Sequence, residues 1–433
     1  MSSNVKIEIP EFLNIGVACT SAHVGTAKEN SIAMVIEDDK LGTDEITYKD
    51  LATKSDQVCN FFTGIGLEPR DRVLVCLKNS LAYPISFFGT MKAGIIAVPT
   101  STLLSGSEVK YLAEDSQARA IVLSASMYEN LVPYLENLDN LKTIVIAGID
   151  SVDGLKKPKD INIYALNEIF NTVDKTPNHY NSKSGEPAYL VYTSGTTGYP
   201  KGVLHSHRSL VGRTPATKFW FDFKENDRIM HSGKFNWTYV LGSALMDPLF
   251  NGHTVIAYEG ANDASTWINL IKKHQCTIFI GVPTIYRQII QKTDFTLEDF
   301  GSHFDFIFRH SDNYTQKYPE RVTLWQEILK EVFDSFPNLR VLLKRDPAWN
   351  RDSFHCLKPI IIKDTSYHCV VNSLLYKPLG GDSFKTNYIG DVTEEPIYEN
   401  EKMIITGDKN ISIKITKIKD FVDKYGGVKW ELR

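Results

Sequence analysis

The stretch Arg72-Val73-Leu74-Val75-Cys76-Leu77, followed by Ile85–Ala93 and then Ile95-Ile96-Ala97-Val98 before Pro99, decides the fold class. Two short runs that are apolar throughout flank a segment of helical spacing that Gly94 ends. Strands without polar alternation are buried on both faces. A strand–helix–strand succession of this kind builds a parallel sheet. Working outward, the same texture holds from about residue 45 to 285. Thr47-Tyr48 leads into Lys49–Gly64, where Leu51, Val58, Phe61 and Phe62 recur at helical spacing until Gly64-Ile65-Gly66. Ala120-Ile121-Val122-Leu123, Thr143-Ile144-Val145-Ile146, Thr254-Val255-Ile256-Ala257 and Thr277-Ile278-Phe279-Ile280 are further β-branched runs.

The expected architecture is α/β, with stacked sheets and flanking helices over residues 1–300 and a smaller mixed α+β segment over 301–433. In that second segment Val341-Leu342-Leu343 and Leu357–Ile362 are apolar patches between irregular polar stretches. Val322–Phe333 has the spacing of an amphipathic helix. Ile411–Ile418 alternates with period two, the pattern of a half-buried strand.

Composition narrows the function. Hydrophobic residues at 42% and charged residues at 23% are an ordinary globular mix, so disorder is not expected for most of the chain. The formal net charge of −4 argues against a nucleic-acid partner, which calls for a basic surface. Six cysteines are scattered without CxxC spacing, so neither a disulfide scaffold nor a zinc-ligand set is expected. No apolar run reaches the length of a membrane span, and the N-terminus has no signal-peptide pattern. A cytoplasmic protein with no structural metal is the expectation. His205 and His207 are two apart, but without further ligands they read as loop or helix-start residues.

One segment carries chemistry: Tyr189-Leu190-Val191-Tyr192-Thr193-Ser194-Gly195-Thr196-Thr197-Gly198-Tyr199-Pro200-Lys201-Gly202. An apolar strand opens into hydroxyls and glycines, and one lysine follows. Glycines allow close backbone approach and positive φ. Consecutive N–H groups and hydroxyls make an anion-binding hollow, and a lysine ammonium suits phosphate. The order Pro200-Lys201-Gly202 excludes a Walker A loop, which needs Gly-Lys-Ser/Thr.

This string resembles the phosphate-loop signature of the adenylate-forming superfamily of acyl-CoA synthetases, luciferases and peptide-synthetase adenylation domains. Every position from Thr193 to Gly202 agrees with it. Thr47-Tyr48-Lys49-Asp50-Leu51, Gly66–Val73, Met91-Lys92-Ala93-Gly94 with Val98-Pro99, and Gly281-Val282-Pro283-Thr284-Ile285-Tyr286 are similar to other segments of that family. The resemblance covers residues 10–295. Pro99–Leu104 and Lys234–Gly242 look most like benzoate and related aryl-acid CoA ligases.

The resemblance implies ATP-dependent activation of a carboxylic acid, aromatic or similarly flat, to an acyl-adenylate. Thioester formation with coenzyme A follows, with Mg²⁺ sharing the phosphate charge. Thr193, Ser194, Gly195, Thr196, Thr197, Gly198 and Lys201 would hold the phosphates, with Lys201 and Thr196 carrying catalysis. In His231–Tyr239 it implies an acyl pocket wall at Trp237, Thr238 and Tyr239, with an aromatic core cluster as the other reading of those residues; Gly281 would line the same pocket or the adenine side, with core packing as its other reading. Ile405-Thr406-Gly407-Asp408 resembles the segment whose acid bonds the ribose, which points to Asp408. The likeness fades after residue 300. The later Tyr-Gly-x-Thr-Glu element is absent, and the family's adenylation lysine would fall on Gly427. An alternative expectation is therefore a catalytically impaired, truncated homologue acting as a nucleotide-binding or interaction protein. Another is a module that loads a carrier protein in trans.

Overall fold

The computed structural model describes residues 7–193, 200–221, 223–261, 263–281, 285, 288 and 289, together with seven short strands farther along. The chain divides into two compact units. One comprises Ile7–Thr214 and Lys224–Asn262. Its elements in order are α1 (Ile15–Cys19), β1 (Ile32–Asp38), β2 (Gly42–Thr47), α2 (Tyr48–Gly64), β3 (Arg72–Cys76), α3 (Ala82–Lys92), β4 (Ile96–Pro99) and α4 (Gly106–Asp115). They continue with β5 (Ala120–Ser124), α5 (Ala125–Leu135), β6 (Thr143–Ala147), β7 (Asn162–Ala165), α6 (Leu166–Thr172), β8 (Pro187–Thr193), β9 (Lys201–Ser206), α7 (Ser209–Gly212), β10 (Arg228–His231), α8 (Thr238–Val240), α9 (Asp247–Phe250) and β11 (Thr254–Glu259).

Two sheets result. In one, β10, β11 and β1 run parallel and β2 turns back against β1. The other has seven strands in the order β7-β6-β5-β3-β4-β8-β9, parallel except for the final antiparallel pair. The apolar runs that predicted parallel strands are these strands: β3, β5 and β6 are buried along nearly their whole length. Their side chains divide by parity. Val73 and Val75 join the core built with α2 and α3, whereas Leu74 and Cys76 join α4 and α5. Phe62, Phe87 and Phe88, all essentially inaccessible, fill the first layer, each contributing about 1.5–3 kcal/mol of burial.

Local chemistry sets the helix limits. The Thr47 side chain accepts from the Asp50 N–H and caps α2. Ser105 and Glu108 cap α4 reciprocally. Gly94 ends the turn after α3 at φ +73°, with the Tyr180 ring where a Cβ would stand, 2.5 Å from its Cδ1.

The other unit holds Pro215–Phe223 and Asp263–Arg433. Its described parts include α10 (Ala264–Lys273), whose buried Trp267 packs on Phe279, and the parallel strands β12 (Ile278–Gly281), β13 (Asp305–Arg309) and β14 (Val341–Lys344). Beyond them come the hairpin of β15 (Lys358–Ile362) with β16 (Thr365–Cys369), and the antiparallel β17 (Ile397–Glu399), β18 (Lys402–Gly407) and β19 (Ile411–Thr416). The period-two run from Ile411 is thus a strand. The helix expected at Val322–Phe333 lies outside the described residues.

Candidate active site

The apolar run before the hydroxyl-rich segment is β8, and the residues after it form β9. The two pair antiparallel with Thr193 opposite Lys201, and the Thr193 hydroxyl donates to the Lys201 carbonyl over 3.4 Å. Thr193 and Lys201 are both exposed. Ser194, Gly195, Thr196, Thr197 and Gly198 lie outside the described residues. Because β8 runs parallel to β4, Thr193 stands at the carboxyl end of a parallel strand. In open α/β sheets that edge is where ligands bind.

The segment between β10 and α8 is fixed from beneath by Asn79. This residue is 1% exposed; its amide donates to the carbonyls of Gly233 and Tyr258 and accepts from the Phe235 N–H at 3.0–3.2 Å. Lys234 pairs with Glu259 at 2.7 Å. Phe235 is buried against Tyr83, 5.3 Å between centroids, so part of this aromatic segment is core. Trp237, by contrast, is 55% exposed. Thr238 is exposed, and the half-buried Tyr239 sets its ring edge-on to His231 at 5.3 Å. A π-helical stretch, Leu241–Met246, follows directly; such turns are common at functional sites.

An ion pair that sequence spacing does not reveal joins these parts. Arg213 forks onto Asp247, Nε–Oδ1 2.7 Å and Nη2–Oδ2 2.5 Å. Asp247 is 1% exposed. Desolvation works against the Arg213 charge, but Asp247, with Tyr189 on β8 and Tyr239 on α8 nearby, outweighs it and holds the guanidinium pKa above its ordinary value. Gly242 makes room for it: a Cβ there would lie 2.6 Å from the guanidinium carbon. The hydrophobic strand β8 and the open aromatic segment therefore both face one partly buried cation. The two residues are 34 apart in the chain, and only the tertiary fold brings them together.

The two histidines after the loop are structural. His205 stacks on Tyr189 at 4.6 Å and 7°, and burial together with Arg213 lowers its pKa. His207 is 1% exposed, and its Nδ1 accepts from the Ile15 N–H over 3.0 Å. Burial drops its pKa to about 4. Between about pH 6.5 and 4 the unfolded chain therefore binds a proton that the folded chain refuses, and stability falls as pH falls. The expected slope is up to about 1.4 kcal/mol per pH unit. Chemical denaturation at pH 7, 6 and 5 will show it, and His207→Gln will flatten it; an unchanged slope in the variant overturns the assignment. Among the described residues no three His, Cys, Asp or Glu side chains gather as a metal site.

Gly281 is buried as the last residue of β12 in the other unit. Asp408 follows β18 and lies outside the described residues. Among the described residues no helix is long and apolar enough to cross a membrane.

Comparison with known proteins agrees with this layout. The family description "AMP-binding enzyme" matches residues 22–340. Benzoate–CoA ligase of Thauera aromatica is 29% identical over 250 residues, 57% of this chain and 45% of that protein. The 3-hydroxybenzoate–CoA ligase of Aromatoleum sp. (strain CIB) is 27% identical over 292 residues, 67% of this chain and 52% of that protein. The chain spans about half the length of the curated relatives it matches. Among solved structures, the anthranilate CoA ligase AuaEII in complex with anthranoyl-AMP superposes with a TM-score of 0.67 at 20% identity, over 96% of this chain and 79% of that one. A benzoate CoA ligase from Burkholderia xenovorans LB400 gives 0.61 at 20% identity, over 77% and 60%. Those two likenesses concern the fold. A hydroxyl- and glycine-rich string that follows the carboxyl end of a parallel strand, with the family match running across residues 22–340, leads to one assignment: the chain belongs to the AMP-binding enzyme family.

Proposed function

We propose that this protein activates an aromatic carboxylic acid with ATP, giving an acyl-adenylate and pyrophosphate, and passes the acyl group to the thiol of coenzyme A. The observation that carries the reading is the hairpin of β8 and β9, which presents the Thr193 hydroxyl and the Lys201 ammonium on either side of the hydroxyl- and glycine-rich segment. Polyphosphate chemistry needs positioning and positive charge more than covalent help from the protein, and those residues supply both. Mg²⁺ would ride mainly on phosphate oxygens, as that ion does in nucleotide sites, so it asks little of the chain. The exposed Trp237 and the half-buried Tyr239 offer aromatic surface to a flat acid. The aryl-acid ligases among the relatives support the same substrate class.

The test is acid-dependent exchange of labelled pyrophosphate into ATP with a panel of benzoates and fatty acids. Exchange driven by aryl acids, followed by thioester formation on adding coenzyme A, is the expected result. Binding of Mg-ATP without exchange for any acid would instead favour a nucleotide-binding homologue that does not turn over, the reading suggested by Gly427 in the place of the family's lysine. Exchange with transfer only to a carrier-protein thiol would move the acceptor from coenzyme A to a partner in trans.

A further inference from the structure

The hairpin that carries the phosphate segment is held on both arms by one helix face. Tyr111 and Asp115 are four apart on α4 and so lie one above the other. The Tyr111 hydroxyl donates to the carbonyl of Pro200, the residue before β9, over 3.3 Å. The Tyr192 hydroxyl, one residue before the end of β8, donates to Asp115 Oδ2 over 2.6 Å. α4 itself is rooted: Val109, Leu112 and Ala113 are buried with Leu74 and Val98 of the sheet, and the Ser105–Glu108 box fixes its first turn. Tyr192 and Leu190 pack against the same core. Tyr192 pairs with Gly202 and Thr193 with Lys201, so β8 and β9 stay in register up to the two ends that flank residues 194–199. A rigid element bonded to both ends of a short connection fixes their separation and direction.

We propose that Tyr111, Asp115 and Tyr192 are positioning residues that set the two strand ends for the β- and γ-phosphates of ATP. This rests on the nucleotide reading above. It goes beyond that reading by giving α4, which holds none of the phosphate-loop residues, control over triphosphate affinity. Bonds of this class are individually modest, and the Asp115 end is exposed, so the effect is on affinity for the phosphate tail and not on folding.

Calorimetry with Mg-ATP and with AMP separates the possibilities, because AMP lacks the β- and γ-phosphates. Tyr111→Phe and Asp115→Ala are each expected to weaken Mg-ATP binding about 2- to 10-fold and to leave AMP binding unchanged, with Asp115→Asn, which keeps an acceptor for the Tyr192 hydroxyl, restoring most of the loss. Wild-type ATP affinity in both variants overturns the proposal, as does an equal loss for ATP and AMP, the mark of a general structural defect. A wild-type chain that binds neither nucleotide overturns the nucleotide reading and this inference with it, a failure seen before any variant is made.

Discussion

Lys201→Ala will lower acid-dependent pyrophosphate exchange about 10²–10³-fold, the loss typical of removing one group aimed at charge that develops in a transition state. As the α-phosphorus is attacked, negative charge moves onto the departing pyrophosphate. Lys201 begins β9, opposite Thr193, with its side chain open to solvent. In the proposed role it meets the leaving group from an exposed position, and its loss leaves the core untouched. Unfolding midpoints of the variant and the parent should coincide, which separates a chemical defect from a folding one. Thr196→Ala removes a neutral hydroxyl and should cost about 10-fold or less. Lys201→Arg keeps the charge but spreads it over a planar fork, so partial recovery is expected. Exchange within twofold of the parent for Lys201→Ala would remove Lys201 from the chemistry and leave the loop as a turn.

Which elements can be read from sequence follows from where their side chains go. β3, β5 and β6 are buried on both faces, so Arg72–Cys76, Ala120–Ser124 and Thr143–Ala147 carry uninterrupted apolar runs. β2, Gly42-Thr43-Asp44-Glu45-Ile46-Thr47, is an edge strand exposed over four of its six positions; its backbone pairing to β1 leaves no hydrophobic trace. β9 escapes notice for the same reason, since Lys201–Leu204 are all exposed. In the candidate site the hydroxyl- and glycine-rich string is contiguous and thus legible. Asn79, Arg213 and Asp247 act across long chain separations, and each is an unremarked polar residue until the sheet is assembled. Within the aromatic segment from Phe235 to Tyr239 the sequence does not separate core rings from exposed ones; the structure buries Phe235 and exposes Trp237.

Asp56→Ala is the substitution expected to damage the fold most. Lys92 is completely buried, and its Nζ reaches Asp56 Oδ1 at 2.6 Å and the Ala52 carbonyl at 3.1 Å. His179 Nε2 meets the same carboxylate oxygen at 2.6 Å. Removing the carboxylate leaves an ammonium in the core without its counter-charge, which costs about 3–5 kcal/mol. Urea titration should show the midpoint fall with little change in slope. Asp56→Leu combined with Lys92→Met removes both charges and should recover most of that loss; a double variant no more stable than Asp56→Ala, or a single variant within about 1 kcal/mol of the parent, would show that the pair is not what holds this region. The pH dependence has a definite sign. Burial, opposed by Asp56, brings the Lys92 pKa down to about 8 from 10.5. Between those values the unfolded chain holds the extra proton, so the parent gains stability as pH rises from 8 to 10.5. Without Asp56 only burial acts, and the window opens at lower pH. The consequence reaches the site through the backbone. The carbonyls of Met91 and Lys92 accept from the Asn14 amide and the Tyr180 N–H at 2.8 Å each, so the end of α3 anchors the segment that leads into β8. Loosening it should therefore weaken Mg-ATP binding as well as the fold.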